Sequence, residues 1–173
     1  MRSASYYLQP SPIGELLIGV SEEGICLVHW GDPDHALALL EESYASVERT
    51  THVASVGCQL DEYFDGQRRL FTLPLDLSLT TPFGKRVLGE LAKVPFGDLI
   101  TYGELARRVG SYPRAVGGAV GRNPIPVVVP CHRVVAVNGI GGFGGGLRRK
   151  RILLGLEGHS RDPLLSSRMQ LAH

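Results

Sequence analysis

TYGELARRVGSYPRAVGGAV, residues Thr101 to Val120, decides how the chain folds. Thr101 with Glu104 three residues on has the pattern of a capping box. Tyr102, Leu105, Ala106 and Val109 recur at i, i+3, i+4 and i+7 and share one helix face. Gly110-Ser111 breaks that helix. Pro113 suits the first turn of a second helix, which runs to about Val120. Two short helices with a tight turn between them make a helix-turn-helix. The second helix carries Gly117-Gly118, and each glycine costs roughly 1 kcal/mol against Ala. Such a pair implies close approach of another surface, either a neighbouring helix or DNA.

Upstream, Thr81 and Pro82 read as N-cap and first helical residue of a helix to about Lys93, with Phe83, Val87, Leu88 and Leu91 on one face. Pro95-Phe96-Gly97 ends it. Ser78–Pro82 reads as a domain boundary. Before it, Tyr6–Leu8, Leu16–Val20 and Ile25–Trp30 read as short strands, Asp34–Tyr44 and Val53–Phe64 as helices, and Phe71–Leu77 as extended. The expected fold class is α/β (α+β): a small N-terminal α/β domain, 1–80, then a mainly helical domain, 81–160, with a winged-helix-like helix-turn-helix. A tail, 161–173, is expected to lack order.

Downstream lies PVVVPCHRVV, Pro126 to Val135. A nucleophile, a base and a cation, Cys131, His132 and Arg133, follow one another inside an apolar wall. A thiol attacks as thiolate, and an adjacent imidazole or cation is expected to lower its pKa. The triplet alone also fits an inert buried cysteine with satisfied polar neighbours. In an extended segment Cys131 and His132 would point to opposite faces. Arg133 is expected to bond backbone carbonyls. Beyond it, Asn138-Gly139 signals a turn, and Gly139–Gly146 reads as a flexible active-site loop without the context of a phosphate-binding fingerprint. Arg148-Arg149-Lys150-Arg151 opens the last helix as a solvated basic face or a phosphate contact.

Bulk properties narrow the function. No apolar run approaches a membrane span, and Met1–Pro10 lacks a secretory pattern, so a bacterial cytoplasmic or, in a eukaryote, nuclear setting is expected. Cys26, Cys58 and Cys131 are an odd number without CxxC spacing, which argues against a disulfide framework or a cysteine zinc site. Cys26 and Cys58 are expected to fill the core. His29, His35 and His52 are scattered, and neither a metal nor a cofactor is expected. Residues 1–81 hold 4 Lys/Arg against 12 Asp/Glu, while residues 82–161 hold 13 against 4. That asymmetry points the second half toward a polyanion.

PCHRVV after GRNPIPVVV resembles the active-site signature of the O6-alkylguanine-DNA alkyltransferases. PFGKRVLGELAKVPFGDLITYGELA, RAVGGAVGRNP and GGLRRKRILLGLEG resemble the DNA-binding and closing parts of that family, and SPIGELLIGVSEEGI and LDEYFDGQ its first domain. The resemblance implies DNA repair by direct reversal: a single-turnover transfer of the alkyl group from O6-alkylguanine, and from O4-alkylthymine, to Cys131. The base would first be flipped out by a helix-turn-helix in the minor groove.

It further implies His132 as base through a water, Glu157 orienting the imidazole, and Tyr102 donating to the guanine ring. Arg114 would be an arginine finger, with Ala115, Gly117 and Gly118 close to DNA, and Asn123 a hinge. The backbones of Cys131, Val134 and Gly144 would read the base, and Phe143 would pack on it. Members usually carry a Tyr and then a small residue where Phe143-Gly144 stand, in a loop one residue longer. The implied partners are double-stranded DNA with alkylated bases and single-stranded DNA, with the protein acting as a monomer or assembling cooperatively on DNA. Three other classes make different predictions. A damage sensor on this fold would lack the cysteine, a helix-turn-helix regulator would not react, and a cysteine hydrolase would turn over.

Overall fold

Strands β1 (Ser3–Gln9), β2 (Leu16–Ser21) and β3 (Gly24–Trp30) form an antiparallel meander. A fourth strand that the sequence pattern did not reveal, β4 (Ser46–Arg49), pairs in parallel with β1, giving the order β3-β2-β1-β4. β4 shows no apolar alternation because only Val47 turns even partly inward. Helix α1 (Pro33–Ser43) starts at Asp32, whose carboxylate accepts from the Asp34 amide at 3.0 Å, with Pro33 at the first turn. Ala36, Leu40 and the following Tyr44 pack with Ala4, Leu17, Cys26 and Leu27.

Helix α2 (Ala54–Phe64) buries Val56, Leu60, Tyr63 and Phe64. Cys58 lies off that face and is exposed, so it is not the core filler expected, whereas Cys26 is. The stretch expected to be extended, Phe71–Leu77, forms no strand and touches β3 at one bridge, Leu75 to Ile25.

The chain divides into two units, Met1–Thr80 and Thr81–His173, and the structure describes residues 1–162. All but the first two residues of the expected tail lie outside the described residues. In the second unit of this computed structural model, α3 (Pro82–Leu91) begins at Thr81, whose hydroxyl accepts from the Gly84 amide at 3.0 Å. Strand β5 (Ile100–Thr101) leads into α4 (Tyr102–Val109) through a reciprocal capping box. The Glu104 amide donates to Thr101 Oγ1 at 3.1 Å, and the Thr101 amide to Glu104 Oε2 at 2.8 Å. Gly110 ends α4 at φ 65°, a left-handed conformation that glycine adopts without steric penalty.

Helix α5 (Pro113–Gly121) completes the helix-turn-helix and packs with α3 and α4; Val87, Leu88, Leu105, Ala106, Val116 and Ala119 on these helices are all buried. Strand β6 (Val134–Val135) pairs in parallel with β5, and α6 (Leu147–Leu156) closes the unit. The β5–β6 ladder sets Val134 opposite Ile100 and Val135 opposite Thr101. The cysteine segment thus stands beside the start of α4. Among the described residues, no helix is long and apolar enough to cross a membrane.

Candidate active site

Ile125 to Val129 is buried, as an apolar wall should be, but it folds as a compact turn rather than a strand. The Val129 amide donates to the Ile125 carbonyl at 2.9 Å, and Val127 sits at φ 73°. A β-branched residue in the left-handed region costs roughly 1–3 kcal/mol and persists only when its surroundings fix it. Asn123 supplies two of the fixings: its Nδ2 donates to the Val129 carbonyl at 2.9 Å and its Oδ1 accepts from the Ile125 amide at 3.0 Å. The same side chain hydrogen-bonds the Cys131 thiol. Asn123 therefore joins the end of α5 to the cysteine. Nothing in the sequence marks Val127, since a valine run reads as a strand.

Cys131, His132 and Arg133 form one turn of 3-10 helix, not an extended segment. The Arg133 amide donates to the Pro130 carbonyl at 3.0 Å. His132 and Arg133 converge on one carboxylate, Glu157. His132 is fully buried and its Nε2 lies 2.8 Å from Glu157 Oε1. Arg133 Nε donates to Glu157 Oε2 at 2.8 Å, and Nη2 to Oε1 at 2.8 Å. Its Nη1 donates to the Val94 carbonyl at 2.6 Å, the kind of contact expected of it. The fork on Glu157 was not expected, because a residue 24 positions away leaves no local signal.

Glu157 caps the C-terminus of α6 and is buried. Burial alone would raise its pKa. Hydrogen bonds and charge from His132 and Arg133 overcome that and hold it well below the usual carboxylate range. The carboxylate is thus ionised and can only accept. It follows that His132 donates from Nε2 and that the basic lone pair of the neutral ring is on Nδ1. The ring is neutral because burial depresses its pKa more than Glu157 raises it. Arg133 already balances the carboxylate charge, so the imidazole need not.

The thiol departs from expectation. Burial pushes Cys131 up to about 11, and the Asn123 hydrogen bond and the charge of Lys150 only partly offset this. The resting site therefore holds a thiol and a neutral imidazole, not a thiolate. Lys150 departs from expectation too. Read as part of a solvated or phosphate-binding basic run, it is fully buried. Its Nζ donates to the carbonyls of Val134, Ile140 and Gly142 at 2.6, 2.6 and 2.8 Å. Burial lowers it to about 8. One ammonium thus staples β6, the glycine loop and α6 together, with its charge toward the cysteine.

Tyr102, the first residue of α4, is half-buried. A Cβ on Gly117 would lie 3.8 Å from its ring, and one on Gly141 3.1 Å from the ring and 3.3 Å from the hydroxyl. The hydroxyl bonds the Gly142 backbone, and burial raises its pKa, so the phenol stays protonated and can donate. The loop glycine at 141 is required by this approach and by its φ of 73°. Gly117 and Gly118 differ, since a Cβ at either would make only ordinary contacts, at 3.8 Å and 3.4 Å from the nearest atoms. Internal packing does not demand the pair.

Arg114 and Ala115 are exposed on the first turn of α5, Val134 is buried, Phe143 is half-buried and Gly144 is exposed. The structure brings Cys131 together with Asn123, and His132 with Glu157. Among the described residues, no cluster of three metal-ligating side chains occurs.

A buried thiol, an oriented imidazole and a basic helix-turn-helix define a nucleic-acid-directed group-transfer protein. Residues 82–159 match the DNA-binding domain of 6-O-methylguanine DNA methyltransferase, and residues 4–77 its ribonuclease-like domain. A methylated-DNA–protein-cysteine methyltransferase of Saccharolobus solfataricus is 36% identical over 153 residues, 88% of this chain and 95% of its own.

The O6-methylguanine methyltransferase structure of Mycobacterium tuberculosis superposes with a TM-score of 0.77 at 34% identity, covering 92% of this chain and 95% of that one. A DNA complex of the same organism's protein gives a TM-score of 0.76 at 34% identity, covering 88% and 92%. The chain belongs to the 6-O-methylguanine DNA methyltransferase family. Its activity is direct reversal of DNA alkylation, by transfer of the alkyl group to a cysteine.

Proposed function

We propose that Cys131 is the accepting thiol and that it is deprotonated only as it attacks. The observation that carries this is the bond between buried His132 Nε2 and Glu157, next in sequence to a cysteine whose own burial keeps it protonated. The reaction is an in-line displacement at a saturated carbon. The thiol proton passes to His132 Nδ1, through a water, as sulfur forms its bond to the alkyl carbon. The bond from that carbon to guanine O6 breaks, and its electron pair goes to the base. Tyr102 donates to the ring as charge develops there, and the proton released by the thiol finally neutralises guanine. Glu157 stabilises the transient imidazolium. The product is a thioether, which water does not cleave, so each molecule acts once.

The target atom is inside the duplex, so the base must leave the stack. We assign this to α5, with Arg114 filling the gap and Ala115, Gly117 and Gly118 lying against the minor groove. The backbones of Cys131, Val134 and Gly144 read the flipped base and Phe143 packs on it. With phenylalanine there, one hydrogen bond available to relatives with tyrosine is lost while the ring contact is kept. Double and single strands and O4-alkylthymine are all substrates on this reading.

The test is intact mass after incubation with duplex DNA carrying O6-methylguanine, followed by peptide mapping. One methyl per protein on the Cys131 peptide is expected, with none for Cys131→Ser, which still binds DNA. A methyl on Cys26 or Cys58, or release of hydrolysed product in excess of one per protein, overturns the assignment.

A further inference from the structure

We propose that Tyr112 is a second probing side chain. It packs its ring on the nucleotides beside the lesion and, with Arg114, holds the damaged base out of the stack. The inference rests on the reading of α5 given above. Tyr112 is 79% exposed, one of four large apolar side chains exposed among the described residues. It is the N-cap residue of α5, at φ −108° and ψ 148°, and its side chain caps nothing. Ser, Thr, Asp or Asn at an N-cap stabilises a helix by accepting from its first amides, which this tyrosine forgoes. An aromatic in water at a position that favours a small polar residue is a local inconsistency of the kind that marks function.

The backbone beneath the ring is fixed while the ring is free. Pro113 follows directly and locks its own φ, and the Tyr112 carbonyl accepts from the Val116 amide at 3.0 Å. Behind Tyr112, at steps of three, come Ala115, Gly118 and Gly121, of which Ala115 and Gly121 are exposed and Gly118 half-buried. The leading edge of α5 thus bears an aromatic and, two residues on, Arg114. The strip behind it has almost no side chains, so a groove wall can approach the helix while the ring reaches ahead. An aromatic face suits this position because every base offers a π-face, whatever the sequence. Apolar side chains that enter base steps from the minor groove work in the same way.

Alkyl transfer rates should be measured for Tyr112→Ala, Tyr112→Phe and Arg114→Ala. The substrates are an O6-methylguanine duplex and the same lesion in a single strand. Base stacking on an aromatic is worth roughly 1–3 kcal/mol, so Tyr112→Ala should slow duplex repair about tenfold. It should slow the single strand far less, because no stack has to be held open. Tyr112→Phe should keep the duplex rate. Equal loss on both substrates, or a phenylalanine as poor as alanine, overturns the stacking role. A duplex rate unchanged in Tyr112→Ala but slowed in Arg114→Ala overturns it while leaving the α5 reading in place. If Arg114→Ala is unaffected as well, the α5 reading fails.

Discussion

Cys26 and Cys131 are both buried, and burial pushes both thiols up to about 11. Each lies in a unit with a buried carboxylate held well below its ordinary range. Only the second pair includes a neighbour that can take up a proton near neutral pH, and the difference lies in the neighbours. Asp76 accepts from Arg2 at 2.7 Å, Ser21 at 2.6 Å, Tyr44 at 2.7 Å and the Ser78 amide at 3.0 Å. None of these donors gains or loses a proton near neutral pH, and the Asp76 charge disfavours a thiolate at Cys26. Asp76 ties β1, β2 and the chain after α1 into one knot.

Glu157 accepts from an arginine and an imidazole, and the imidazole can take a proton. Cys131 has the Lys150 ammonium on its side, whereas at Cys26 the charge of Asp76 opposes that of Arg2. A perturbed thiol or carboxylate therefore does not by itself mark a site. A titratable base oriented by the carboxylate, near a thiol whose anion a cation favours, does.

Glu157→Gln breaks the functional side of this contrast most strongly. The glutamine cannot balance Arg133 or an imidazolium, and transfer should slow about hundredfold in a rapid-quench assay. Lys150→Met removes the favourable charge and leaves three carbonyls without their donor. Transfer should fall about tenfold, and denaturant unfolding should show a loss of about 2 kcal/mol.

Asp76→Asn should cost about 2 kcal/mol, read by urea unfolding, and leave the transfer rate constant of the folded protein unchanged. It should also flatten the acid limb of stability. A depressed carboxylate contributes stability that is complete above its unfolded value of about 4 and is lost as pH falls toward the folded one. Unfolding of the native protein should therefore ease progressively below that value, and less so in the asparagine variant. Cys26→Ala should cost on the order of 1 kcal/mol and leave transfer untouched.

Local signals were legible and remote ones were not. Thr81, the Thr101–Glu104 box, Gly110 and Pro113 act within a turn of their own position, and the helices begin and end accordingly. The cysteine, histidine and hinge asparagine stood out by motif. Glu157 acquired its expected partner only through the resemblance, because 25 residues separate it from His132. Lys150 was misread because three arginines surround it in sequence. Its burial depends on carbonyls of β6 and the loop that no pattern along α6 reveals. Cys58 looked apolar enough for the core, but α2 turns it outward. Edge strand β4, mostly exposed, carries no alternation to read.

On the proposed mechanism the resting thiol is neutral and loses its proton to His132 during attack. The pH dependence of the single-turnover transfer rate tests it most directly. The rate should rise below neutrality as the imidazole loses its proton. It should then level off and, above about 8, fall rather than climb as Lys150 loses the charge that favours the attacking sulfur. A rate that climbs about tenfold per pH unit from neutrality, following a free thiolate population, would contradict the account.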